Sequence, residues 1–250
     1  MNELVSWSSP LPDMLLAEYD VHIWRAWLEV NATSLSCLSR TLSPEEHGRA
    51  RRFILAKDRH RFTATRGILR QLLGLYLRRP PASVTIEVGP HGKPALGAKE
   101  DLAPLRFNLS HSQGLGLFVF TLEHEVGIDV EQIRPEVTRD GIEQSYFSAR
   151  ERRELDALPA ECRPDGFFRC WTRKEAYVKA LGKGLHLPLD SFDVSLTPGQ
   201  PAVLHRVDKG RWSLYSICPE PGFIGAVVVE GKNNSLKFWE WSDPTNSVAE

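Results

Sequence analysis

The chain has 250 residues, 42% hydrophobic and 25% charged, with a formal net charge of −1. That balance is ordinary for a globular protein and gives no global field toward nucleic acid or a membrane surface. The longest apolar runs, 115–122 and 223–229, are strand-length and too short to span a bilayer, and the four cysteines form no C-x-x-C or metal-ligand spacing. With no secretory pattern at the start, the expectation is a soluble, cytoplasmic protein.

Residues 1–19 are weakly patterned and read as a loose arm, after which 21–29 alternate as a strand. Ser43-Pro44-Glu45-Glu46 combines a serine N-cap, proline at the first helical position and glutamate at the third. Helical spacing then runs through Phe53, Phe62, Ile68, Leu69, Leu72, Leu73 and Tyr76, with a break expected near Lys57-Asp58. A strand at 83–88, a G-P-H-G-K-P turn at 89–94 and strands at 107–110 and 115–122 complete the first half. The second half opens on a strand at 126–131 and a capping box at Ser148 to Glu151. A helix through Leu155 and Leu158 leads to a longer one over 167–181. Gly182 supplies its left-handed stop, and Gly184 loosens the chain beyond. Strands follow at 192–196, 212–217 and 223–230, and the tail from Lys232 shows no clear pattern.

This order repeats. Gly74 and Gly182 differ by 108, as do Ser83 and Ser191, Leu96 and Leu204, and Arg61 and Arg169; the capping boxes differ by 105. The fold class expected is α+β: two halves, 1–124 and 125–250, related by a pseudo-two-fold axis. Each packs a long helix on a small antiparallel sheet. Such a pair builds its own seam, a favoured ligand site, so a monomer is expected. On this register Asp129 and Glu131 replace Trp24 and Ala26, and Glu175 replaces Gly67. Residues 49–79 hold ten Lys or Arg and one acid, Asp58, so a basic wall would meet an acidic one.

Asp129 and Glu131 alternate on one strand face, and like charges so placed are unfavourable unless a cation lies between them. With Glu175 they offer three hard oxygen donors and no His or Cys pattern, which suits Mg²⁺ rather than Zn²⁺. Trp171, Glu175 and Lys179 are spaced by four on one helix face. Each feature also has a plainer reading: an exposed D-x-E, a solvated helix pair, a structural His111, a loop lysine at Lys93. The two glycine-rich stretches lack the spacing of a phosphate-binding loop.

Together V-G-I-D-V-E (126–131), W-x-x-K-E-A-x-x-K-x-x-G-K-G-L (171–185) and F-N-L-S-H-S (107–112) resemble the Sfp-type 4′-phosphopantetheinyl transferases, in their W-x-x-K-E-A subgroup. The likeness extends to R-A-R-R-F from Arg49, G-K-P at 92–94 and L-P-L-D-S-F at 187–192, colinear over roughly residues 43–196. It implies Mg²⁺-dependent transfer of phosphopantetheine from coenzyme A to a serine of an apo acyl or peptidyl carrier protein, releasing adenosine 3′,5′-bisphosphate. By the same resemblance the metal ligands are Asp129, Glu131 and Glu175. The coenzyme A contacts are Arg49, Lys93, Ser110, His111 and Lys179, with the turn 88–92 approaching the nucleotide through its backbone. Glu46 departs from the pattern, standing where some members carry a base. Glu175 is placed to take the serine proton and Lys179 to stabilise the leaving bisphosphate. Two competing readings stay open: a coenzyme A-binding protein without catalysis, and a nucleic-acid binder using the 49–79 face, which the charge of −1 disfavours. Tyr146 and Phe147 are candidates for a carrier-docking surface.

Overall fold

The computed structural model describes residues 4–10, 14–89, 91–97, 104–136, 141–182, 187–205 and 210–243. Its first half runs β1 (Asp20–Trp27), α1 (Ala32–Ser39), α2 (Pro44–Arg51), α3 (Ala56–Leu77), β2 (Ile86–Val88), β3 (Pro94–Leu96), β4 (Leu105–Ser112) and β5 (Leu115–Leu122). The second runs β6 (Val126–Gln132), α4 (Ile142–Tyr146), α5 (Ala149–Asp156), α6 (Arg163–Leu181), β7 (Asp193–Val194), β8 (Leu204–His205), β9 (Trp212–Ile217) and β10 (Phe223–Glu230). A last strand, β11 (Ser235–Glu240), returns to pair in parallel with β1.

The repetition is carried by strand order. One sheet runs β11-β1-β5-β4 and the other β6-β10-β9, so in each half the last strand lies between the first and the middle one. Trp24 pairs with Phe118 and Asp129 with Ala226, which puts Asp129 at the position of Trp24, as the sequence register expects. Both capping boxes form, Ser43 with Glu46 and Ser148 with Glu151. The long helices follow a different offset. α3 ends on left-handed Arg78 and α6 on left-handed Gly182, so the counterpart of Glu175 is Gln71, not Gly67. Gly74, matched to Gly182 in the sequence, lies inside α3.

Period-2 alternation builds three core layers. Val21 and Ile23 of β1, with Leu115, Leu117 and Val119 of β5, meet Val126, Ile128 and Val130 of β6 in a layer between the sheets. Trp24, Phe118 and Phe120 point the other way, onto Ile68, Leu69 and Leu72 of α3. Ile224, Ala226 and Val228 of β10 likewise face α6. β5 and β10 are continuous apolar runs because both their faces are buried.

Several boundaries differ from expectation. The break between helices falls at 52–55, and α6 begins at Arg163. α1 was not foreseen: Asn31 caps it by accepting from Ser34 N at 2.9 Å. The arm is tied down, with Ser8 bridging Trp239 and Trp7 Nε1 donating to Pro219 O at 3.1 Å. No helix among the described residues is long and apolar enough to cross a membrane. Pro90 of the turn, and Lys183, Gly184 and Leu185 beyond α6, lie outside the described residues.

Candidate active site

Asp129 and Glu131 lie on β6 positions that alternate with Ile128 and Val130, so they face away from the layer between the sheets. α6 crosses this strand closely because Gly127 lacks a side chain: a Cβ there would fall on Ala176 O and Ala180 N. That approach brings Glu175 and Lys179 to the acidic strand. Lys179 Nζ donates to Asp129 Oδ1 at 2.6 Å and to Ser110 Oγ at 3.1 Å.

The opposite side is supplied by β4, whose alternate residues reach toward β6. Asn108 Oδ1 accepts from Ile128 N at 3.0 Å, Ser110 Oγ donates to Asp129 Oδ1 at 2.8 Å, and Ser112 Oγ donates to Glu131 Oε2 at 2.7 Å. The N-x-S-x-S pattern thus joins the halves through side chains. Ser112 was not singled out in the sequence; period 2 from Ser110 is the signal that finds it.

Above these residues opens a cleft of about 360 Å³. Arg49, Phe62, Thr65 and Arg66 line it from α2 and α3, His111 from β4, and Glu175 and Lys179 from α6. Arg49 stacks its guanidinium over Phe62, 5.3 Å from the ring centre. Lys93 also lines the cleft, but its ammonium already has three acceptors: Glu125 Oε2 at 2.8 Å, Val126 O at 3.2 Å and Ala180 O at 3.3 Å. It fastens the β2–β3 turn to the second half. Ser110 and Asp129 stand beside the cleft lining, connected to it through Lys179, while Glu131 follows on β6 and is bonded to Ser112.

Glu46 points away from the cleft. It is buried beneath α3, where its carboxylate meets Arg66 and Arg70, each at 2.6 Å, and accepts from Ser43 N. Burial pushes its pKa up, but the Ser43 N–H and the two arginines outweigh this and hold it below the ordinary value. Arg66, which the sequence reading did not single out, takes a cationic place on the wall. Phe147 is buried at 1% exposure, which removes it as a docking residue, whereas Tyr146 is 40% exposed and stands edge-on to Trp171.

The acids are held under tension. Burial, then the charge of Asp129, raises the Glu175 pKa, with Lys179 opposing. Glu131 is raised by burial, Asp129 adding and Ser112 and Arg134 opposing. Asp129 is 4% exposed, and its Oδ2 has no hydrogen-bond partner among the described residues. A buried, unpartnered carboxylate oxygen beside two carboxyls raised by burial and like charge fits a hard divalent cation. Among the described residues no three acidic, histidine or cysteine side chains are already gathered to hold a metal; the ammonium of Lys179 takes the cationic place beside Asp129. The protein around the His111 ring, then the charges of Lys179 and Arg61, lower its pKa.

A family model described as the 4′-phosphopantetheinyl transferase superfamily matches residues 125–227. A second, described as 4′-phosphopantetheinyl transferase, N-terminal, matches 25–120. The 4′-phosphopantetheinyl transferase HetI of Nostoc sp. is 39% identical over 236 residues, 94% of this chain and 98% of that protein. The 4′-phosphopantetheinyl transferase Sfp of Bacillus subtilis is 32% identical over 62% of this chain and 66% of its own. Among solved structures, a Chronobacterium ammoniagenes ACPS–CoA complex is 16% identical over 44% of this chain and 98% of that one. Its TM-score of 0.34 is too low to argue from.

Proposed function

The chain belongs to the 4′-phosphopantetheinyl transferase superfamily and is a transferase that modifies carrier proteins with phosphopantetheine; from that premise we propose how its cleft performs the transfer. The lobe of residues 1–124 binds coenzyme A through Arg49 and His111, while the lobe of 125–250 holds the metal and carries the chemistry. The observation behind this reading is a single cleft with arginines on one wall and Glu175 and Lys179 on the other.

The serine hydroxyl of the carrier attacks the β-phosphorus of coenzyme A, the bond from that phosphorus to the bridging oxygen breaks, and adenosine 3′,5′-bisphosphate leaves. Glu175 accepts the hydroxyl proton from its place on the second wall of the cleft. Lys179, positioned by Asp129 and Ser110, balances charge on the departing oxygen. Asp129, Glu131 and Glu175 would hold Mg²⁺, which supplies charge neutralisation and alignment of the pyrophosphate. Arg49 and His111 orient the nucleotide end. Lys93 contributes by keeping the two walls in register and through its stem along the cleft. The working unit is a monomer, because both walls come from one chain.

Two measurements test this. An apo carrier protein incubated with the enzyme, coenzyme A and Mg²⁺ gains the mass of one phosphopantetheine, and gains nothing when Mg²⁺ is removed by chelation. Glu175→Gln retains coenzyme A binding and lowers turnover by about 10²-fold; near-normal turnover would remove the base assignment.

A further inference from the structure

β4 and β6 are edge strands of their two sheets, and among the described residues no ladder of backbone hydrogen bonds joins them. An edge strand leaves alternate N–H groups without a ladder partner, and where it is covered they must be satisfied in another way. Here the join is made by side chains of β4 at positions 108, 110 and 112. Asn108 Oδ1 accepts from Ile128 N, and Ser112 Oγ accepts from Gln132 N at 3.2 Å, four residues further along β6. Between them, Ser110 Oγ donates to Asp129, whose Oδ1 is also held by Lys179.

Ser112 does more than close the edge. Its hydroxyl carries one proton. With Gln132 N–H entering as a donor, that proton goes to Glu131 Oε2 at 2.7 Å. Ser112 is buried, whereas Glu131 keeps 25% of its side chain exposed. Nothing else among the described residues holds Glu131 at hydrogen-bond distance: Arg134 Nη2 stands 3.9 Å from the same oxygen, and Oε1 accepts no hydrogen bond. Burial lifts the Glu131 pKa, and the Ser112 bond is the first influence that draws it back, so the hydroxyl favours the charged carboxylate. A glutamate loses much rotamer freedom when it is fixed, and a bond to its far end removes part of that freedom before a cation binds.

We infer that Ser112 is the positioning residue for Glu131: reaching across the seam from the first lobe, it turns the carboxylate so that Oε1 stays available to a divalent cation. The inference rests on the transferase reading, in which Asp129, Glu131 and Glu175 hold Mg²⁺, and deepens it. The first lobe then does more than bind coenzyme A. It sets one ligand of the site that the second lobe carries.

Mn²⁺ is the probe, titrated into enzyme saturated with coenzyme A without a carrier, and free Mn²⁺ is read by electron paramagnetic resonance. Ser112→Ala weakens Mn²⁺ binding about tenfold, the scale on which hydrogen bonds to a metal ligand act. Coenzyme A affinity measured without metal stays within about twofold, because the first lobe's coenzyme A-binding side chains are untouched. Ser112→Cys, close in size but a weak donor, loses about threefold and decides the matter if the alanine variant does not fold. Glu131→Gln weakens Mn²⁺ by itself, and adding Ser112→Ala brings no further loss, since the hydroxyl acts through the carboxylate. In turnover, Ser112→Ala raises the Mg²⁺ concentration for half-maximal rate about tenfold and leaves the rate at saturating Mg²⁺ within about twofold.

Unchanged Mn²⁺ affinity in Ser112→Ala and Ser112→Cys, or an additive loss in the double variant, overturns the assignment. So does an equal fall in metal-free coenzyme A affinity, which would make Ser112 a seam bond only, and so does a wild type that binds no Mn²⁺. Phosphopantetheine transfer is assayed separately. The expected Mn²⁺ losses in a protein that transfers nothing remove the transferase reading and keep Ser112 in its role. Transfer with the same Mg²⁺ dependence in wild type and both single variants removes that role alone.

Discussion

The two halves anchor their long helices with one device and differ on either side of it. In the first, Glu46 turns its carboxylate beneath α3 to Arg70 Nε, and Arg70 Nη1 reaches Pro81 O at 3.3 Å and Val84 O at 2.8 Å. In the second, Glu151 meets Lys174 Nζ at 2.8 Å, and that ammonium reaches Leu189 O at 2.5 Å and Phe192 O at 2.7 Å. Both acids are the third residues of capping boxes, and the carbonyls stand at matching places after the helices. One turn before Arg70 lies Arg66, open to the cleft; one turn before Lys174 lies Cys170, wholly buried. One residue after Lys174 lies Glu175, whose counterpart Gln71 instead accepts from Trp241 Nε1 at 3.0 Å. The duplicated frame is structural, and the chemistry sits at the positions where the halves part.

The largest effect should come from breaking the frame where it has no reserve. Lys174→Met leaves Glu151, 0% exposed, without a cationic partner among the described residues, held by the N–H groups of Ser148 and Val194 and the thiol of Cys170. It costs about 3–5 kcal/mol and lowers the melting temperature by roughly 10 °C. Arg70→Met is milder, about 2 kcal/mol, because Arg66 and Ser43 N remain on Glu46. Equal losses in parallel denaturant titrations would mean that Arg66 does not share the carboxylate, and the contrast between the halves would fail.

A second difference lies in the strands. Where β6 has Gly127, β1 has His22, at 1% exposure, with Nδ1 2.8 Å from Tyr76 Oη, its ring edge against Trp239 and Nε2 3.7 Å from Asp20. Burial lowers its pKa from 6.5 to about 4; Lys237 adds to this and Asp20 opposes it. Below pH 6.5 the unfolded chain takes a proton that the folded chain refuses, so stability falls as pH drops from 6.5 toward 4. The loss is about 3 kcal/mol. His22→Gln should flatten that interval. Asp20 and Glu46, both held below their ordinary values, bring separate losses further into acid. An unchanged slope in His22→Gln would assign the acid sensitivity elsewhere.

The sequence showed these contrasts unevenly. Alternation placed Asp129 and Glu131 on one face, and the capping boxes located α2 and α5, because strand period and helix caps are written locally. The helix register was wrong by one turn: it rested on scattered identities, whereas the left-handed residues Arg78 and Gly182 mark the equivalent ends. Ten cations between 49 and 79 gave no means of choosing Arg66, since Glu46, which turns it, lies 20 residues away on another helix. Lys93 was expected as a coenzyme A contact or, more plainly, a loop lysine; its anchoring role was hidden because its three acceptors come from the other half. β11 escaped notice for a related reason: its partner, β1, is more than 200 residues distant, and parallel pairing leaves no hairpin signal.

The smallest change in side-chain volume separates the two walls most cleanly. Gly127→Ala places a methyl group against the backbone of α6 at Ala176 and Ala180, which cannot yield as a flexible side chain does. Overpacking of this kind costs about 1–3 kcal/mol, so the protein stays folded, but relief comes by moving α6 away from β6. The 2.6 Å contact between Lys179 and Asp129 then opens, and Glu175 moves off the acidic strand. Turnover should fall about tenfold or more, while coenzyme A binding persists, because Arg49 and His111 stand on the other half. Wild-type turnover in Gly127→Ala would show that the spacing of α6 on β6 does not set the catalytic geometry. Loss of coenzyme A binding in step with turnover would show that the two walls act as one body rather than as two surfaces meeting at a seam.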